Sequence, residues 1–466
     1  MRTPILALLA GASLLAGCNH MPPYDRPAGA VPATLPQGPP YPPAATDAPD
    51  VTAIGWRDFF TDERLRQVIA RGLENNRDLR VAAANVLAAR AQHRVQRADQ
   101  FPTVAAGASA TLTNQSAQGA VSGVDVDIYQ AQVGVSAFEV DLFGRVRNLS
   151  RAALEQYFAS EEAERAARIS LIAEIATAWL NLAADRDQLS LSREVLETYA
   201  QTRELTQAQF RVGTASELEA RQADTEYQAA RNDIAVLETR IAQDRHALEL
   251  LVGAPVADEL LPTGLTAQGA TIPELPVGLS SQVLLRRPDL LQAEHQLIAQ
   301  HANIGAARAA MFPTISLTAA LGVISQGLSG LFSGGAFTYN VAPAVDLPIF
   351  DAGRRRANVD LAEANRQAAL ATYEKSIQTA FREVADALAQ RGTIGEQMAA
   401  QTARVDSAQT AAMLADARYR AGVTSFLESL VTQRASYTAR QELVSTRLAR
   451  ETNLVTLYRS LGGGLS

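Results

Sequence analysis

A single cysteine in 466 residues leaves no partner for an intrachain disulfide. Histidine is almost as scarce, with five copies scattered along the chain. His295 and His301 lie six apart, off the i,i+4 spacing that sets two ligands on one helix face, and Glu294-His295 has no second histidine to complete a zinc helix. A phosphate loop and a nucleophile elbow are both missing. The expectation is a protein that is not an enzyme and has no metal or other cofactor. A basic surplus is also absent. The net charge is -7 and the pI about 5.5, which argues against nucleic acid as a partner. Aromatic residues make up only 6% against 47% hydrophobic. Alanine fills much of that difference and suits closely packed helices.

Between Gly144 and Gly213 there is no glycine and no proline. Glycine costs about 1 kcal/mol in a helix interior and proline about 3, so such a stretch predicts one helix over Arg145 to Val212. At a rise of 1.5 Å per residue it makes a rod about 100 Å long, which no compact core requires. A second clean run goes from Thr214 to Val252. A similar pair follows Gly353, and its second member runs from Val423 to Leu461. Ile172, Ile175, Trp179, Leu182, Leu189 and Leu196 have the spacing of a coiled-coil seam. Asp/Arg neighbours such as Asp185-Arg186 read as solvated helix faces.

The N-terminus carries Arg2, an apolar run from Ile5 to Leu15, and then Leu15-Ala16-Gly17-Cys18. That pattern reads as a secretory signal peptide, too short to span a bilayer. Small residues directly before a cysteine resemble the lipobox of bacterial lipoproteins. By that resemblance Cys18 is the first mature residue and carries covalent lipid, palmitate included, and Asn19 favours the outer membrane. An ordinary signal peptide with a chance cysteine is the competing reading. Residues 21–50 are rich in proline and alanine and are expected to form an extended tether.

Two stretches change period. From Thr103 to Thr113 and from Ile128 to Phe138, apolar and polar residues alternate, as in strands with one apolar and one polar face. A soluble hairpin on a core and a membrane β-barrel strand pair share this alternation. Downstream the pattern returns. Met311-Phe312-Pro313-Thr314-Ile315 echoes Gln100-Phe101-Pro102-Thr103-Val104, and Phe210-Arg211-Val212-Gly213 returns as Tyr419-Arg420-Ala421-Gly422. The echoes are offset by about 210 positions, which predicts a tandem repeat. The expected division is a signal peptide 1–17, a lipidated tether 18–55, a first repeat 56–262 and a second repeat 263–466. The repeats contain hairpins 103–138 and 314–346 and helical pairs 145–252 and 354–461. Gly392-Thr393-Ile394-Gly395 reads as a small lateral insertion in the second long helix.

Four strands cannot close a barrel, and open edges cannot be left in lipid. The hairpins must then be shared between chains: two copies would give eight strands and a filled interior, three would give twelve and room for a pore. The fold class expected is an α+β membrane protein: a long antiparallel helical tunnel with a β-barrel completed by other copies of the chain, by trimerisation where the interior is to be a pore. A solid coiled-coil stalk bearing a membrane anchor is the alternative.

With Leu15-Ala16-Gly17-Cys18, Trp56-Arg57-Asp58-Phe59-Phe60, Asn75-Asn76-Arg77-Asp78-Leu79, Phe138-Glu139-Val140-Asp141-Leu142-Phe143-Gly144, Arg286-Arg287-Pro288-Asp289-Leu290 and Arg418-Tyr419-Arg420-Ala421-Gly422 in this order, the chain resembles the TolC-type outer membrane factors. It is most similar to their lipoprotein branch, associated with resistance-nodulation-division efflux systems. The resemblance runs from Trp56 to Gly462. It implies a homotrimer whose helix tips meet a periplasmic adaptor and, through it, an inner membrane pump. The channel is then a passive exit for drugs or other toxic solutes, with a part in multidrug resistance. Arg211, Val212, Gly213, Arg420, Ala421 and Gly422 match the adaptor-contacting tips, and simple helix capping is the plain reading of the two glycines. Leu427 and Val431 match the closed periplasmic gate. Relatives often carry Asp where this chain has Val431, so a carboxylate ring is either absent here or moved to Glu428 or Glu217, and ordinary helix packing is the plain reading of Leu427 and Val431. An exit duct for ATP-driven protein or peptide export, and a structural lipoprotein that tethers the envelope, remain as alternatives.

Overall fold

The computed structural model describes residues 20–27, 30–42, 54–112, 127–265, 269–272 and 281–463. The signal peptide, Cys18 and the first hairpin's loop lie outside the described residues. The chain divides into two compact units. One comprises residues 1–27, 85–161 and 292–373, the other 28–84, 162–291 and 374–466. In chain order the elements are α1 (Trp56–Phe59), α2 (Glu63–Asn75), α3 (Arg77–Ala98), β1 (Val104–Thr111), β2 (Ile128–Glu139), α4 (Arg145–Arg211) and α5 (Glu217–Val252). Then follow α6 (Pro288–Ala309), β3 (Thr314–Ser325), β4 (Phe337–Asp346), α7 (Arg354–Arg420) and α8 (Phe426–Ser460).

Breakers set most of these limits. Asp62 caps α2 by accepting from the amides of Arg64 at 2.8 Å and Leu65 at 3.3 Å. Gly253, at φ 75, ends α5 in the left-handed cap that glycine alone takes without strain. Helices α4 and α7 have 67 residues each. The insertion expected at Gly392–Gly395 is therefore not there: α7 runs through it unbroken. Ile394 is buried, and a side chain at Gly392 would collide with the carbonyl of Pro40. That glycine keeps a notch open rather than breaking the helix.

In the first unit the four strands form one antiparallel sheet in the order β1-β2-β3-β4. Its register lines up apolar rows: Val104, Val135, Ala319 and Val341 are successive partners, as are Ala106, Val133, Leu321 and Tyr339. The adjacent row, Gly107, Gln132, Gly322 and Thr338, is small or polar and belongs to the other face. A bulge between Val135 and Phe138, with Ala137 at φ 49, shifts the β2–β3 register. None of the residues of these strands is buried. A soluble hairpin would press its apolar rows on a core of its own chain; among the described residues these rows have no such cover.

In the second unit the core forms where α2 meets α4 and the ends of α5 and α8. Ile172, Ile175, Trp179 and Leu182 are all buried, with Leu65, Val68 and Ile69. Phe59 stacks on Tyr458, ring centroids 4.0 Å apart and 3° from parallel. Beyond Leu182 the expected seam fails. Leu189 and Leu196 are only half-buried, and Leu191, Val195 and Tyr199 take over. A straight helix drifts about 20° per heptad against a 3.5-residue repeat, so the buried stripe moves off a fixed heptad.

The proline-rich segment is pinned rather than free. In the first unit Tyr24 donates to Glu294 at 2.9 Å and Arg26 grips the same carboxylate through Nε at 2.8 Å and Nη2 at 2.5 Å. In the second, the backbone and hydroxyl of Ser281 donate to the carbonyls of Ala33 and Pro32.

Candidate functional site

The two helix–helix turns have the same construction. After α4, Gly213 takes φ 77 and the amide of Thr214 reaches back to the Gln209 carbonyl at 2.9 Å. After α7, Gly422 takes φ 72 and the amide of Val423 reaches Arg418 at 2.9 Å. Both are Schellman-type stops. Each is followed by a serine that starts the returning helix. Ser216 forms a capping box with Glu219, and Ser425 accepts from the amide of Glu428 at 3.4 Å. Capping therefore accounts for both glycines. It also leaves Arg211, Val212, Gly213, Arg420, Ala421 and Gly422 exposed on two matched turns. Arg420 is steadied by Asp416 at 2.7 Å.

The turns are tied together below their tips. The Tyr419 hydroxyl donates to Gln209 Oε1 at 2.8 Å. Burial raises this phenol above its ordinary value, so it remains a donor through the physiological range. Under it, Ala223, Phe426 and Leu430 form a buried cluster with Tyr419 against them. Further along, Arg434 pairs with Glu226, and the Tyr437 hydroxyl meets Ser192 at 2.8 Å and Asp233 at 3.1 Å. These links join α4, α5, α7 and α8, and they were not visible in the sequence. Each pair is local in space and about 200 or more residues apart in the chain.

Of the gate candidates, Leu427 and Val431 lie one turn apart on α8 and are 56% and 53% exposed. Exposed Ala435, Thr438 and Glu442 continue the same stripe. Phe426 and Leu430, on the adjacent flank of the helix, are buried in the chain's own core. The carboxylates are already engaged: Glu428 takes the Thr424 hydroxyl, and Glu217 accepts from Arg221 at 3.2 Å.

The Asp185-Arg186 pair departs from expectation. Arg186 reaches the carbonyl of Pro262, and Asp185 lies 3.5 Å from Arg240. Burial, with the Asp185 charge beside it, pushes the Asp244 carboxyl up to about 6, against a lowering pull from Arg240. Sequence shows no such pairing because the two aspartates sit on different helices. His295 bonds Glu155 at 2.8 Å, and His301 packs edge-on to Tyr24 at 5.4 Å. Among the described residues no three His, Cys, Asp or Glu side chains are grouped to hold a metal ion.

The family described as outer membrane efflux protein matches this chain over residues 68–254 and 279–463. The toluene efflux pump outer membrane protein TtgC of Pseudomonas putida is 45% identical over 470 residues, covering 100% of this chain and 96% of that protein. The cation efflux system protein CusC of Escherichia coli O157:H7 is 39% identical over 458 residues, 97% of each. Among solved structures, the open state of the Neisseria gonorrhoeae MtrE outer membrane channel superposes with a TM-score of 0.86 at 37% identity, covering 96% of this chain and 99% of that one.

Proposed function

The chain belongs to the outer membrane efflux protein family and is the outer membrane channel of an efflux pump; we propose that it works as the passive exit duct of a tripartite assembly. Three copies contribute their four-stranded sheets to one twelve-stranded barrel in the outer membrane. The long helical pairs, product of a tandem duplication, wall an aqueous passage in the periplasm. The observation that carries this reading is the sheet: among the described residues it has two open edges and apolar rows with no core of their own chain to cover them. Lipid on one face and water on the other suit such a sheet, and neighbouring copies are needed to satisfy its edges.

Cys18 carries the lipid that anchors the mature chain. The tips at Arg211–Gly213 and Arg420–Gly422 dock a periplasmic adaptor, which joins them to an inner membrane pump of the resistance-nodulation-division class. Leu427 and Val431 narrow the periplasmic end. The solutes are drugs or other small toxic compounds. Relatives of one architecture are named for toluene and for cations, so the choice of solute belongs to the pump rather than to the duct.

The test is a photo-reactive residue placed at Arg211 or Arg420 in living cells, with captured products identified by mass spectrometry. Capture of the adaptor of a resistance-nodulation-division pump supports the proposal. Capture of the adaptor of an ATP-driven exporter would move the function to protein or peptide secretion.

A further inference from the structure

Phe143, just past the end of β2, stacks on Phe312, just before the start of β3, with ring centroids 4.8 Å apart and planes 13° from parallel. The contact follows from the sheet. Strands β2 and β3 are antiparallel neighbours whose pairing runs to Glu139 and Ser316, and one more rung joins the Val140 amide to the Ile315 carbonyl at 2.8 Å. The residues beyond that rung are brought face to face. His20 covers the other side of Phe312 at 4.6 Å.

The same positions recur at the two edges of the sheet. Phe101 precedes β1 as Phe312 precedes β3, each followed by Pro-Thr. Phe350 follows β4 within the segment between Val345-Asp346-Leu347 and Gly353-Arg354, as Phe143 follows β2 between Val140-Asp141-Leu142 and Gly144-Arg145, with Pro348-Ile349 before it and Asp351-Ala352 after it as extra residues. These two rings are open: Phe101 is 61% and Phe350 88% exposed, with Ile349 beside it almost wholly so. They cannot stack on each other within one chain. Strands β1 and β4 are three strand spacings apart, about 14 Å at about 4.8 Å each. Aromatic pairs need centroids within about 7 Å.

We propose that Phe350 of one copy stacks on Phe101 of the next, so that the aromatic contact made inside each chain by Phe143 and Phe312 is repeated at the subunit seam. The directions agree. In a sheet of order β1-β2-β3-β4, β4 runs antiparallel to a β1 placed on its open edge, as β2 does to β3. The longer linker at the second site, Leu347–Ala352 against Leu142–Phe143, lets the ring reach outward. Asp351 holds that linker by accepting from the amides of Gly353 at 3.0 Å and Arg355 at 3.2 Å. Burying two such rings against each other removes an apolar patch that a channel would otherwise expose at its barrel base.

This inference rests on the oligomeric duct proposed above, and the test separates the two. The full-length chain carrying Phe101→Cys and Phe350→Cys is treated in isolated outer membranes with a short thiol-to-thiol crosslinker. The expected result is conversion of the monomer band to covalent dimer and trimer, lost in either single variant and restored as dimer when the two single variants are co-expressed. Phe143→Cys with Phe312→Cys serves as the internal standard and should crosslink without change of oligomer. A trimeric mass in detergent with no intermolecular crosslink, while the internal pair reacts, overturns the seam and leaves the duct. Quenching of a fluorophore at position 350 by brominated lipid in that same trimer would show the ring lying in the bilayer and would also overturn it. A monomer in detergent overturns the duct reading itself.

Discussion

The guanidinium of Arg287 donates from Nη1 to the carbonyl oxygen of Ser460 at 2.7 Å. In the first half of the chain the corresponding contact is made by Asn76, whose Nδ2 donates to the carbonyl of Leu251 at 2.8 Å. Each bond ties the residue that opens one helix, α6 or α3, to the last turn of the helix that returns, α8 or α5. Different side chains thus solve one problem, satisfying a carbonyl at a helix C-terminus that has no partner within its own helix.

Arg287 is buried and also holds Asp289 at 2.8 Å and Glu383 at 2.9 Å. Replacing it with Met leaves the Ser460 carbonyl and the Glu383 carboxylate without their donor. The expected cost is about 3 kcal/mol, at the lower end for a broken buried pair because Glu383 is partly solvated. Asn76→Ala loses one carbonyl contact and the cap on the Leu79 amide, about 1–2 kcal/mol. Thermal melting of the solubilised protein by circular dichroism should rank the variants in that order below the parent.

Gly392 and Gly395 both sit inside α7, and only Gly392 faces the N-terminal segment. Gly395→Ala should stabilise the helix by up to about 1 kcal/mol, since nothing lies near an added methyl there. Gly392→Ala should gain the same helix propensity but lose the seat of Pro40. Limited proteolysis within residues 30–42 should therefore accelerate for Gly392→Ala alone, with α7 intact.

Asp244 gives the fold a pH dependence. Its folded pKa of about 6 lies above the ordinary 3.8, so the native state holds this proton more tightly than the unfolded chain. Native stability from this group is complete below the ordinary carboxylate value and is lost as pH rises through about 6. Asp244→Asn should match the parent near pH 4 and exceed it at pH 7.5. The gain should be about 1 kcal/mol, the full linkage value being reduced by solvent that reaches the site. Melting curves at the two pH values check both sign and size.

Much of this architecture was readable from breakers and period. Gly144, Gly213, Gly253 and Gly353 mark helix limits because a left-handed or unwound backbone is cheap only there, and the two-residue period of β1 to β4 survives because one apolar face runs the whole strand. Three features were hidden. Gly392 looked like a break because glycine weakens an isolated helix, yet packing of Ile394 and the Pro40 notch override that local preference. The seam beyond Leu182 was misplaced because a fixed heptad ignores helical drift. The contacts of Asp185, Arg186 and Tyr419 depend on partners far off in the chain, which no local spacing encodes. The turns at Gly213 and Gly422 are legible from their glycines; their link through Tyr419 and Gln209, 210 residues apart, leaves no local signal.

The most direct test of the duct is single-channel conductance of the purified, full-length protein in a planar bilayer, comparing the parent with a Leu427→Ser/Val431→Ser double variant. Discrete current steps are expected for both, with larger and longer openings once these two apolar side chains are shortened. A bilayer that carries no steps with either protein, at concentrations where membrane insertion is demonstrated, would contradict it.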